Sequence, residues 1–254
     1  RSIRILQQIM AKQEIISEHD QASGIATITF NRPAAANAIN TAMWESLPRL
    51  IHKLIEDGSR LLIFTGSGKY FAAGADFEDL RQIVDYASAA RFWQAISSAL
   101  ETIADLEIPT IAMVNGPCLG GGCLLANACD LRFAALDSAV FAIPVARLGI
   151  ILDDSNVQRL VSLIGQAKAK ELLFSAATIS STRAATIGLI NQAVQDDQLE
   201  AHTFEFAKTI LANSSLTVAA TKASIARLNS HVREQERAIV GYLSSDFRNR
   251  IALE

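Results

Sequence analysis

Cysteine, proline, histidine and the large aromatics are all scarce in this chain. Its 254 residues include three Cys, five Pro, four His, two Trp and three Tyr. An odd number of thiols (Cys118, Cys123 and Cys129), clustered in one apolar stretch, does not make a disulfide framework. It fits a reducing compartment, so a cytoplasmic location is expected. No histidine lies near the thiols in sequence, which excludes zinc-type spacing; no metal is expected, and the thiols read as small buried hydrophobes. Neither sign of charge dominates, with 23 Lys and Arg against 26 Asp and Glu. No face is forced to be basic, so nucleic acid is not an expected partner. Walker and G-x-G-x-x-G phosphate motifs are missing. Residues 1–16 lack the apolar run of a signal peptide. The missing initiator Met leads us to expect trimmed ends. One uncharged run, Ile108 to Cys129, is long enough to raise a membrane span. Pro109, Pro117 and three consecutive glycines inside it argue instead for a buried strand, a loop and a buried helix, with no membrane partner.

Hydrophobic residues make up 50% of the chain and charged residues 19%, the balance of a globular protein with a large core. Ile25–Phe30 alternates like a half-buried strand, and Leu61–Phe64 and Thr110–Val114 are short apolar strands. Thr41 to Glu56 has helical spacing, with Thr41 as a candidate cap and Pro48 expected to kink the helix or shift its start. Glu78 to Leu106 reads as a long helix broken near Tyr86–Ser88. A helix follows from about Gly121 to Asn127, then strands at Leu131–Ala134 and Ala139–Phe141. Ser180–Thr182 opens a helix that Gly188 stops, and Leu189–Val194 is a last strand. From Leu199 onward the pattern is helical, with apolar faces such as Ile225/Leu228 and Ile239/Tyr242/Leu243. Alternating strands and helices followed by helices alone indicate α/β architecture, with a core over 1–198 and a helical region over 199–254.

Two glycine-rich turns stand out. Phe71-Ala72-Ala73-Gly74-Ala75-Asp76 and Asn115-Gly116-Pro117-Cys118-Leu119-Gly120-Gly121-Gly122-Cys123 each follow an apolar strand and lead into a helical pattern. Glycine lets backbones approach closely, and a helix start offers free N–H groups and a favourable dipole for negative charge. Together the turns can aim two N–H groups at one oxygen, which is the layout of an oxyanion hole. A pair of tight strand-to-helix turns holding no ligand is the plainer alternative.

With Asn31-Arg32-Pro33, Asn37-Ala38-Ile39-Asn40, Thr65-Gly66-Ser67-Gly68, Ala128-Cys129-Asp130, Leu148-Gly149-Ile150 and Gly188-Leu189-Ile190-Asn191, these turns form an ordered set. The set resembles the crotonase, or enoyl-CoA hydratase/isomerase, superfamily over nearly the whole chain. That resemblance implies a spiral of β-β-α units, a C-terminal helical region that packs between subunits, and a homotrimer or hexamer. It implies an acyl-CoA thioester substrate, with coenzyme A part of the substrate and no separate cofactor. The thioester oxygen would be held by the N–H groups of Ala75 and Gly121, and substrate-binding positions would fall at Ala36, Ala38, Ala73, Leu124, Val145 and Leu152. Ala34 stands where the nucleotide loop commonly carries lysine.

The departures bear on the reaction. By the resemblance, the two glutamates that activate and deliver water in a hydratase fall at Leu124 and Val145, neither of which can exchange a proton. Asp153 falls where dienoyl-CoA isomerases carry a catalytic aspartate and 4-chlorobenzoyl-CoA dehalogenases a nucleophile. Its residue-level alternative is an N-cap for a helix starting near Asn156, a role open equally to Asp154 or Ser155. The favoured expectation is double-bond isomerisation or a related proton transfer, with Asp153 as the shuttle. Alternatives are acyl-CoA hydrolysis, decarboxylation, or a non-catalytic acyl-CoA-binding homologue.

Overall fold

The computed structural model describes residues 13–228 together with Leu243, Arg248, Asn249 and Ala252. Strands β1 (Ile15–Asp20) and β2 (Ile25–Phe30) pair antiparallel. β3 (Leu61–Gly66), β4 (Thr110–Val114), β6 (Leu131–Ala135) and β9 (Gln192–Val194) extend the sheet in parallel, in the order β1-β2-β3-β4-β6-β9. A second sheet joins β5 (Cys118–Leu119), β7 (Val140–Ala142) and β8 (Ile179–Ser180). β3 and β4 are buried along their whole length, as parallel strands covered on both faces must be.

Helix α1 (Thr41–Glu56) buries Met43, Trp44, Leu47, Ile51 and Leu54 on one face. Its N-cap is Asn40, whose side chain accepts from the Met43 amide, while the Thr41 amide and hydroxyl are taken by Asp79. Pro48 lies inside the helix, which neither starts late nor divides there. The expected long helix is two pieces, α2 (Phe77–Arg81) and α3 (Tyr86–Asp105), and the break falls just before Tyr86. Asp85 and Ser88 form a capping box, which makes Tyr86–Ser88 the first turn of α3.

Helix α4 (Gly121–Ala128) follows the second glycine turn, and a short α5 (Val145–Leu148) follows β7. The long α6 (Asp154–Ser175) turns at Gly165, where φ is +75°. α7 (Ser181–Ile187) is capped by Ser180 and ends at left-handed Gly188. The last strand is shorter than its apolar run, because the Leu189 and Ile190 amides turn back to the Ala184 carbonyl before pairing begins. α8 (Leu199–Leu211) packs on β4 and β6, and α9 (Ser215–Leu228) follows it. The apolar face expected at Ile239/Tyr242 lies outside the described residues. No helix among the described residues is long and apolar enough to cross a membrane. All three cysteines are buried and unbridged.

Candidate active site

At the end of β3 the chain folds back on itself. A Cβ on Gly66 would lie 2.1 Å from the Tyr70 carbonyl oxygen and 2.8 Å from Asn37 Nδ2, so only glycine fits. Two asparagines pin this turn. Buried Asn37 accepts from the Arg32 amide (2.9 Å) and donates to the carbonyls of Ser67 (2.8 Å) and Tyr70 (2.7 Å). Asn115 Nδ2 donates to the carbonyls of Gly66 (2.9 Å) and Gly68 (3.0 Å). The segment that follows is held between two neighbours. On one side Ala73 N–H donates to Ala36 O (3.0 Å), Ile39 N–H to Gly74 O (2.8 Å) and Asp76 N–H to Ile39 O (3.3 Å). On the other, Leu119 N–H donates to Ala72 O at 2.9 Å. Ala36 and Asn37 hold φ of 52° and 55°, left-handed values that are costly for side chains other than glycine.

This ladder decides where Ala75 points. The parallel bridge between Ile39 and Ala75 uses the groups of Gly74 and Asp76 and leaves the Ala75 amide facing away from Ile39. On that far side stands the start of α4. A Cβ built on Gly121 would lie 3.5 Å from the Ala75 nitrogen, and one on Gly74 (φ +101°) 3.1 Å from the Gly121 nitrogen. The two amides therefore lie close together. Among the described residues neither donates to any protein acceptor. Gly121 is the first residue of α4, at the positive end of its dipole, and α4 starts without a side-chain cap. Two free N–H groups beside a helix N-terminus are the donor set that an oxyanion hole requires.

A family model described as Enoyl-CoA hydratase/isomerase matches residues 20–250. The chain belongs to the enoyl-CoA hydratase/isomerase family. This crotonase-family chain is 38% identical over 218 residues to a crotonyl-CoA hydratase from Syntrophomonas wolfei, covering 85% of this chain and 82% of that one. A solved enoyl-CoA hydratase/isomerase from Mycobacterium paratuberculosis superposes with a TM-score of 0.83 at 28% identity, over 95% and 98% of the two chains. A solved methylmalonyl-CoA decarboxylase in complex with 2-nitronate-propionyl-CoA has a TM-score of 0.82 at 25% identity, over 94% of each chain. The fold is that of the crotonase structures, and the family implies acyl-CoA substrates.

The other expected residues fall into two groups. Ala36 and Ala73 pair in the same ladder as Ala75, while Ala38, just before Ile39, turns its amide to Ala35 O and its carbonyl to Arg32 Nη1 at 2.8 Å. Leu124 lies one turn beyond Gly121 on α4 and is buried, while Val145 opens α5 and is half-buried. Leu152 and Asp153 precede α6, which packs against both α4 and α5. Asp153, not Asp154 or Ser155, is the N-cap. One of its carboxylate oxygens accepts from the Asn156 amide and the other from Asn156 Nδ2, both at 2.9 Å.

Three supports escaped the sequence. Trp44 lies against Gly121, its Cζ2 3.2 Å from the place a Gly121 Cβ would take. Its position on the buried face of α1 was readable; its nearness to Gly121 was not. Arg32 pairs with Asp76 at 2.7 Å and Glu14 at 3.0 Å, tying the β2 exit to the end of the 72–76 segment. Arg132 is buried with no ion-pair partner among the described residues and donates to the carbonyls of Leu189 (2.8 Å), Ala126 (3.1 Å) and Cys129 (2.6 Å). Burial pushes its pKa down, and those carbonyl dipoles take the place of a counter-ion.

Proposed function

We propose that this protein binds an unsaturated acyl-CoA, holds its thioester oxygen between the Ala75 and Gly121 N–H groups, and isomerises the double bond. Asp153 takes a proton from the acyl chain, the hole stabilises the resulting enolate, and the proton returns at a different carbon. The observation that carries this reading is the closeness, at the start of α4, of two amides unpaired among the described residues. Each such donor is worth about 10²–10³-fold in rate. Leucine and valine at 124 and 145 supply no second carboxylate to activate water, which disfavours hydration. Ala36 and Ala38 carry the nucleotide end of the substrate.

Decarboxylation is the second reading. Both Asp153 oxygens are already engaged by Asn156, and loss of CO₂ generates the enolate with no base at all. The fold shared with a methylmalonyl-CoA decarboxylase supports it.

Mass spectrometry of 2-enoyl, 3-enoyl, malonyl-type and aromatic thioesters incubated in heavy water tests both. Deuterium uptake with CoA retained is the expected result. Loss of CO₂ selects the second reading, and loss of free CoA indicates hydrolysis. Addition of water overturns the argument from Leu124 and Val145. Binding without turnover shows a non-catalytic homologue.

A further inference from the structure

Along α4, residual exposure follows one flank. Gly121 is half-buried, Leu124 and Asn127 each keep 8% and Ala128 6%, whereas Cys123, Leu125 and Ala126 are fully covered. The spacing i, i+3, i+6, i+7 traces a line down the helix from the oxyanion hole. Every side chain on that helix is apolar except Asn127, six residues and about 9 Å along the axis from Gly121. Both its Nδ2 and its Oδ1 are buried, with no hydrogen-bond partner among the described residues. A buried amide is costly when unpaired, and leucine would fill the position without that cost.

We infer that Asn127 recognises a hydroxyl group on the acyl chain, well down from the thioester. A hydroxyl is the smallest neutral group that both donates and accepts, so it can satisfy Oδ1 and Nδ2 together. A carboxylate would satisfy only the donor. An acyl chain whose oxygen sits at Gly121 and which runs along Leu124 brings its distal carbons to the amide. This inference rests on acyl-CoA binding at the hole and narrows the substrate to distally hydroxylated acyl-CoAs. A hydroxyl on the carbons next to the thioester does not reach Asn127.

The test measures dissociation constants by calorimetry for plain medium-chain acyl-CoAs and for matched chains with one hydroxyl moved carbon by carbon toward the terminus. The expected result is at least tenfold tighter binding at one distal position, with the ratio falling to near one in Asn127→Leu and partly kept in Asn127→Ser. A wild-type ratio of one at every position overturns the inference, and needs no variant to fold. So does a ratio that survives Asn127→Leu. In both cases plain acyl-CoA still binds, so the reading of the hole stands. Failure of every acyl-CoA to bind overturns both.

Discussion

Gly74 and Gly121 leave no space between them for a methyl group. A Cβ on Gly74 would sit 2.8 Å from the Leu119 carbonyl oxygen, backbone that cannot step aside, and would need a φ of +101°. Gly74→Ala is therefore expected to cost about 2 kcal/mol of stability and to lower turnover at least a hundredfold by separating the two amides. Thermal melts and steady-state kinetics on the variant check both. Asp153 permits a cleaner separation. Asparagine caps a helix as well as aspartate does, so Asp153→Asn should keep the melting temperature while abolishing deuterium exchange if the carboxylate carries the proton. Asp153→Ala should lose about 1 kcal/mol as well. Retained exchange in Asp153→Asn would leave the residue a cap and nothing more.

Among the elements, the most consequential is not a helix or strand but the ladder around residues 72–76. Asn37 is fully buried and pins the turn that leads into it, through the Arg32 amide and the Ser67 and Tyr70 carbonyls, so Asn37→Ala is expected to destabilise by about 3 kcal/mol, measured by denaturant unfolding. Local patterns made much of the scaffold legible. Ile25–Phe30 alternates, Ser180 and Gly188 bracket α7, and Asp153 was among three candidate caps for α6. The two glycine turns pointed to neighbouring backbone amides, because glycine spacing reports close backbone approach directly; the oxyanion hole built on them is our proposal. What stayed hidden depended on partners distant in sequence. β5 and β8 are two residues each and exist only through pairing with β7. Asn40 takes the cap of α1 because Asp79, from another helix, claims Thr41. The unpaired state of Asn127 is likewise a property of its surroundings, not of its neighbours in sequence.

Over the whole molecule, burial sets a pH dependence. Desolvation pushes the Cys129 thiol from its ordinary 9.0 up to about 12, and Cys118 is raised well above 9.0 too. Between those values the unfolded chain gives up thiol protons that the folded chain keeps, so stability falls as pH rises from about 9 toward 12. Cys129→Ala should flatten that decline in melts taken across the range. Lys222 on α9 reaches back to Asp130 (2.8 Å) and to the Ile108 carbonyl (3.0 Å), fixing that helix to the core. Outward from it, Leu216 and Ile225 are exposed at 79% and 56%. We propose that they pack between subunits of a trimer or hexamer, so light scattering should show that mass for the wild type and a lower one for Leu216→Glu/Ile225→Glu.

Trp44 gives the proposed hole a means of being observed. The chain has two tryptophans, both with buried indole N–H groups that find no partner among the described residues, and one of them abuts Gly121. Charge arriving on an oxygen at the Gly121 amide changes the field across that ring. Intrinsic fluorescence of a Trp93→Phe variant should then respond to acyl-CoA at the hole with no label added. A stopped-flow trace of that emission would time the arrival of the thioester separately from whatever chemistry follows.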